Sequence, residues 1–210
     1  MRILFLGYAE SQVIDFLLTE GNEVYRIGPD EKITLEKISG IAPDFIVSYG
    51  YRKIIGADIV RTFPNIINLH ISMLPWNRGA DPNFWSFVED TPKGVTIHYL
   101  DEWIDRGDII AQREVSFPRD ATLRTSYNGL RLEVEQLFRE TWPAICAGTC
   151  NRKKQEGRGS RHAKGDIEQF SHLLSDGWDT PIMVLDEYAA ETQMSIQARD
   201  NEIIEISRMK

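Results

Sequence analysis

Short, almost wholly apolar runs alternate with stretches whose apolar residues recur every three or four positions. "RILFLG" (2–7), "NEVYRIG" (22–28), "DFIVSYG" (44–50) and "NIINLHIS" (65–72) read as strands, bounded by turn residues. Between them, "SQVIDFLLTEG" (11–21) places Val13, Ile14, Leu17 and Leu18 at helical spacing, with Gly21 as a stop. "TLEKISG" (34–40) is a short helix ended by Gly40, and "GADIVRTF" (56–63) is a helix ended before Pro64. This repetition predicts an α/β fold, with a mostly parallel sheet covered by helices on both faces.

The pattern continues with a helix around "PNFWSFVED" (82–90) and strands "GVTIHYL" (94–100) and "DIIAQREVSF" (108–117). A long helix follows over 122–147, with Leu130, Val134, Leu137 and Phe138 on one face. "NRKKQEGRGSRHAKG" (151–165), rich in Gly and basic residues, reads as a loop. The tail carries strand-like segments at 181–189, 192–199 and 202–208, the last two flanking a "DN" hairpin turn. The expected division is a Rossmann-like core over 1–150 and, over 151–210, an extension of loop and β-hairpin.

Composition supports a packed core: 42% of the 210 residues are apolar. A net charge of -8 opposes broad binding to a nucleic-acid backbone, though not a small anion in a local basic pocket. No run approaches the roughly 20 apolar residues of a membrane helix, and Glu10 and Asp15 break the first apolar run too early for a signal peptide. With only Cys146 and Cys150, a disulfide scaffold is not expected, and the setting expected is cytoplasmic. Cys146, Cys150 and His162 are a weak metal pattern, and no metal is expected.

The turn after the first strand, "GYAESQ", lacks G-x-G-x-x-G and the P-loop pattern, and no G-x-S-x-G elbow is present. The chemistry lies in "NLHISMLPWNRG" (68–79). Asn68 and His70, two apart on a strand, project to one face at its carboxyl end, where ligands of such sheets sit. An amide and a protonated imidazole side by side can both donate to a developing oxyanion; a buried, internally satisfied pair is the structural alternative. A second segment, "YLDEWIDRGDIIAQ" (99–112), brings Asp101, Glu102, Asp105 and Asp108 after a strand. A carboxylate from it would orient the imidazole and favour its charged form; the alternative is a solvated acidic loop.

Together "NLHISMLPWNRG" and "IDRGDII" resemble the paired motifs of the folate-dependent formyltransferases, over roughly residues 1–145. The resemblance implies a catalytic trio of Asn68, His70 and Asp105, with N10-formyltetrahydrofolate as formyl donor. It also implies a folate pocket from "SYGYRKII" (48–55), with Tyr49, Tyr51, Arg52, Lys53 and Ile54, completed by Asp101 and Trp103 of the 101–104 loop. For Arg52 and Lys53 the plain alternative is surface charge.

Within that family the acceptor is open. The acidic charge and the short segment after Thr149 speak against methionyl-tRNA, and the single Gly7 after the first strand speaks against glycinamide ribonucleotide. The remaining branch acts on dTDP- or UDP-linked amino sugars, and "QEGRGSRH" and "GWDTP" resemble its tail segments. In it Trp76, Asn77, Arg78, Gly79 and Asn83 would meet the substrate, with Trp85 able to pack on a sugar or base. For Phe84 and Phe87 the core face of a helix is favoured. The basic loop has six Lys and Arg residues (152, 153, 154, 158, 161 and 164) against Glu156, which suits a diphosphate as well as it suits plain solvation. A non-catalytic binding module remains a reading of another class, and the tail is expected to support a homodimer. Neither a nucleic-acid nor a membrane partner is expected.

Overall fold

The computed structural model describes residues 1–208, with side chains through residue 197. In chain order the elements are β1 (Arg2–Gly7), α1 (Gln12–Thr19), β2 (Glu23–Ile27), α2 (Leu35–Ile41), β3 (Phe45–Tyr49), α3 (Ala57–Thr62) and β4 (Ile66–His70). They continue with β5 (Arg78–Gly79), α4 (Pro82–Val88), β6 (Gly94–Tyr99), β7 (Ile109–Glu114), α5 (Leu123–Cys146), β8 (Arg161–His162) and α6 (Ile182–Arg208). Two 3-10 segments, Asp166–Leu173 and Gly177–Asp179, lie between β8 and α6.

The main sheet has the order β2-β1-β3-β4-β6-β7, and β5 pairs β8 apart from it. The first four strands run parallel, whereas β6 and β7 are antiparallel additions at one edge. The expected mostly parallel sheet with helices on both faces is therefore present. Because β2 and β3 are added on opposite sides of β1, the strand order reverses beside β1 and opens a crevice at the carboxyl ends.

Strand alternation sorts the core into two layers. Val47, Tyr49, Ile67, Leu69, Val95 and Ile97 turn to one face and bury the apolar stripes of α1 and α5. Leu4, Leu6, Ile46 and Ile66 turn to the other and bury Ile38 of α2 and Ile59 of α3. Each such aliphatic side chain contributes roughly 1.5–3 kcal/mol on burial. Leu18, expected on the buried stripe of α1, is instead half exposed, because Val13, Ile14 and Leu17 already fill the contact.

α5 begins at a capping box: Thr122 Oγ1 accepts from Thr125 N at 3.2 Å, and Thr125 Oγ1 accepts from Thr122 N at 2.8 Å. Thr122→Ala should lower the urea midpoint by the equivalent of about 1 kcal/mol at unchanged m-value.

The tail corrects the expectation of a β-hairpin. Residues 182–189, 192–199 and 202–208 fall on α6, not on strands, and Pro181 makes an isolated bridge to Thr122. Ile182, Leu185 and Ala189, spaced three and four apart, are buried, and the first two pack with Phe84, Trp85, Phe87 and Val88 of α4. The helical spacing of these three positions decides the element. Among the described residues no helix is long and apolar enough to cross a membrane.

Candidate active site

β4 is laid down with Ser48 beside Asn68, Asn68 opposite His98 and His70 opposite Thr96. Alternation puts Asn68, His70 and His98 on the α2–α3 face, in phase with Ile66. The chain then turns through a cis Leu74–Pro75 peptide into β5 and presents the Gly79 N–H.

The 101–108 loop returns Asp105 to this edge. Asp105 sits at φ 51, in the left-handed region that Asp tolerates better than most residues. Gly107 is what lets the loop press onto β6: a Cβ there would lie 1.8 Å from the Tyr99 carbonyl oxygen. Asp105 Oδ2 accepts from Gly79 N at 2.8 Å and faces His70 Nδ1 at 3.9 Å. Asp105 Oδ1 accepts from Asn68 Nδ2 at 3.4 Å and lies 3.7 Å from His98 Nε2. The trio expected from the sequence is therefore brought together in one buried cluster.

Hydrogen-bond chemistry fixes the protons. A carbonyl only accepts, so His98 Nδ1 donates to Tyr99 O at 2.8 Å. Complete burial pushes the His98 imidazole down toward its neutral form, against the opposing pull of the Asp105 carboxylate. Its Nε2 is then a bare acceptor and takes a hydrogen from Asn68 Nδ2 at 3.2 Å. That contact sets the Asn68 amide orientation and aims its second N–H at Asp105. His70 Nε2 donates to Asn77 O at 3.1 Å, leaving Nδ1 as the basic nitrogen, turned toward Asp105.

For Asp105 the largest single influence is burial, which raises its pKa. The imidazoles of His70 and His98, the Gly79 N–H and the Arg78 guanidinium together outweigh it and hold the carboxyl below its ordinary range. His98 escaped the sequence reading, although Thr96 and His98 show the same two-residue spacing on an apolar strand that marked Asn68 and His70.

Several expected substrate contacts are committed elsewhere. Asn77 is fully buried: its Nδ2 donates to Thr91 Oγ1 at 2.7 Å and its Oδ1 accepts from Ser160 Oγ at 3.0 Å. Asn83 bonds Leu123 O and Ser126 and so ties α4 to α5. Arg78 is buried and directed into the 151–165 segment. Trp85 stacks on His162 at 3.8 Å inside the α4–α6 cluster, with Phe84 and Phe87 beside it in the core. Of the expected set, Trp76 keeps an exposed ring, and Gly79 offers its backbone to Asp105.

The folate residues divide. Arg52, Lys53 and Ile54 are exposed, Arg52 paired with Asp30, and Tyr51 donates to Glu31 O. Trp103 is 68% exposed above a turn in which Asp101 Oδ1 accepts from Trp103 N. Arg61 of α3 donates to Glu102 at 2.6 Å, tying that loop to the helix into which Tyr51–Ile54 leads. Tyr49 departs from the expectation. Its ring turns to the α1–α5 face, its hydroxyl accepts from Arg131 Nε and its carbonyl accepts from Tyr8 N.

The 151–165 segment is no free loop. It crosses the site as a strap, paired with Ile109 at Lys153 and with β5 at Ser160–His162. Gly159, at φ 60, passes so close that a Cβ would meet Pro75 O at 1.9 Å. Arg152 is spent over the Tyr99 ring, 3.6 Å away, and Lys154 points to solvent. Cys146 and Cys150 lie at the end of α5, whereas His162 is on β8. Among the described residues no group of three His, Cys, Asp or Glu could hold a metal.

The mostly parallel sheet thus brings an amide, an imidazole and a carboxylate together at the carboxyl end of β4. The chain belongs to the formyl transferase family, whose model matches residues 6–141. It is similar to a methionyl-tRNA formyltransferase of Clostridium botulinum, 31% identical over 155 residues, covering 71% of this chain and 50% of that protein. The chain thus spans about half the length of the curated relatives it matches. It is also similar to the formyltransferase PseJ from Anoxybacillus kamchatkensis, solved in complex with UDP-4,6-dideoxy-4-formamido-L-AltNAc and tetrahydrofolate. There the identity is 48%, the TM-score 0.84, and the match covers 90% of this chain and 100% of that one. A 4-N formyltransferase from Francisella tularensis shares the fold at 23% identity and TM-score 0.71, covering 89% of this chain and 86% of the other.

Proposed function

We propose that the protein transfers a formyl group from N10-formyltetrahydrofolate to the amine of a dTDP- or UDP-linked amino deoxysugar. The convergence of Asn68, His70 and Asp105 on one carboxyl edge supports the chemistry. The similarity to PseJ, solved with a UDP-linked formamido sugar, supports the acceptor class. Residues 1–150 form the catalytic core in this reading, and residues 151–210 an extension that straps it.

Bound folate supplies the formyl carbon and the leaving nitrogen, so no protein nucleophile is required. His70 Nδ1 accepts a proton from the attacking amine and gives it to the leaving folate nitrogen as the bond from that nitrogen to the formyl carbon breaks, and Asp105 stabilises the imidazolium between the two transfers. Asn68 donates to the developing oxyanion, exchanging its long 3.4 Å contact with Asp105 for a shorter one made as charge develops. His98, held neutral, is a positioning group for that amide. Tyr51, Lys53, Ile54 and Trp103 offer the exposed apolar and basic surface that suits a flat ring with an anionic tail, with Arg52 and Asp101 beside them. Trp76 faces the acceptor.

In this reading the protein is cytoplasmic, takes neither nucleic acid nor membrane as partner, and pairs as a homodimer through α6, which exposes Met183, Val184, Met194 and Ile196.

The test is formyl transfer from the folate donor to a panel of UDP- and dTDP-amino sugars, with glycinamide ribonucleotide and methionyl-tRNA as further acceptors. Turnover on an amino sugar is expected. Turnover confined to either of the other two reassigns the acceptor, and transfer to none of them returns the chain to a binding module.

A further inference from the structure

Gln155 lies on the strap where it passes the Asp105 loop. Its Nε2 donates to Asp105 O at 2.8 Å and to Gly107 O at 3.0 Å. Its Oε1 accepts from Arg78 Nη2 at 2.8 Å and Arg78 Nε at 3.1 Å. Both hydrogens and both lone pairs of one carboxamide are thereby used, on two segments far apart in sequence. Those segments are the ones that must stay in register for Asp105 Oδ2 to meet Gly79 N, since Arg78 directly precedes Gly79. The strap has independent anchors on either side: Lys153 with Ile109, at 2.7 and 2.9 Å, and Arg78 N with Ser160 O at 3.1 Å. Gln155 is therefore not needed to keep the strap attached. What it adds is the link between the Asp105 backbone, in its left-handed conformation, and the β5 turn.

We infer that Gln155 is a positioning residue: its carboxamide clamps the Asp105 loop to Arg78 and so holds the Asp105 carboxylate at Gly79 and opposite His70. The inference rests on the reading that Asp105 acts in formyl transfer, and it gives the strap a catalytic purpose that its basic residues do not supply.

Gln155→Glu separates the two halves of the clamp. The carboxylate still accepts from Arg78 but has no hydrogen for the Asp105 and Gly107 carbonyls. Gln155→Met, of similar volume, removes both halves without adding charge. Both variants are expected to lose kcat on the order of 10²-fold, as for a misplacement of about 1 Å, with KM for either substrate within about twofold of wild type. The acid limb of the kcat profile should move to higher pH as Asp105 loses the Gly79 N–H. The Gly79 amide, bonded to Asp105 Oδ2, is expected to be protected from hydrogen exchange in the wild type and to become exchangeable in both variants. Wild-type kcat and pH profile in a folded variant overturn the proposal, as does a change in KM alone. Free exchange of Gly79 in the wild type overturns it without any variant. If the wild type forms no product with any acceptor, it is the functional reading that fails. The Gly79 exchange then still decides whether Gln155 holds Asp105.

Discussion

Asp105→Asn should reduce single-turnover formyl transfer by about 10²–10⁴-fold, the range for losing a general acid–base group, while the protein stays folded. The substitution is isosteric, so the cause is the hydrogen-bond pattern. Both Asp105 oxygens accept from N–H groups, Gly79 on one side and Asn68 on the other. A carboxamide has one oxygen, so one of those donors must then face an NH₂. The negative charge opposite His70 is lost as well, and with it the stabilisation of an imidazolium. A stability scan with pH provides an independent check. The native carboxyl is held below its ordinary value, so its ionisation stabilises the fold above about 3.9, and that share is lost as pH falls through the native value. The Asn variant should lack this acid-side loss. Wild-type turnover by a folded Asp105→Asn protein would remove Asp105 from the reaction.

Gly107→Ala is expected to be nearly as damaging although it removes no polar side chain. The added methyl would lie 1.8 Å from the Tyr99 carbonyl oxygen, and the neighbour is backbone, so the loop itself has to move. Asp105 is two residues away and moves with it. A loss on the order of 10²-fold in kcat is expected from the displacement, with about 1–3 kcal/mol of destabilisation from overpacking. Gly40→Ala is the matched control. Gly40 lies in α2, and a Cβ there meets nothing within 4 Å, so stability should hold or rise by about 0.5–1 kcal/mol. Equal activity in Gly107→Ala and Gly40→Ala would show that the tight approach to Tyr99 does not position the site.

The legible parts of this protein were those written in local pattern. Leu4, Ile46 and Ile66 lie in apolar runs too short for helices and bounded by Gly or Pro, so a buried parallel sheet follows from segment length and period. The α5 stripe of Leu130, Val134, Leu137 and Phe138 was equally plain, and all four are buried. Asn68 and His70 stood out because a polar pair in phase on an apolar strand needs a reason. His98 had the same mark, and only the antiparallel register of β6 against β4 makes it the partner of Asn68. The tail lacks such a mark, because the helical spacing of Ile182 and Leu185 serves packing on α4, a hundred residues away in sequence.

By itself, then, the sequence determined the six strands of the main sheet, the helices as far as α5, the polar pair at the end of β4 and the acidic loop from which its third member comes. Tertiary structure alone decided which polar groups remain available. Asn77, Arg78 and Asn83 look like ligand contacts in the sequence, yet folding closes their hydrogen bonds against Thr91, the strap and α5. The 151–165 segment reads as a basic loop, for a diphosphate or for solvent, yet its backbone pairs with β5 and Ile109, while Gln155 reaches the loop that carries Asp105. The physical reason is that side-chain type and spacing report local conformation, whereas a donor's or acceptor's partner depends on long-range register. That register is set only when the whole chain has packed.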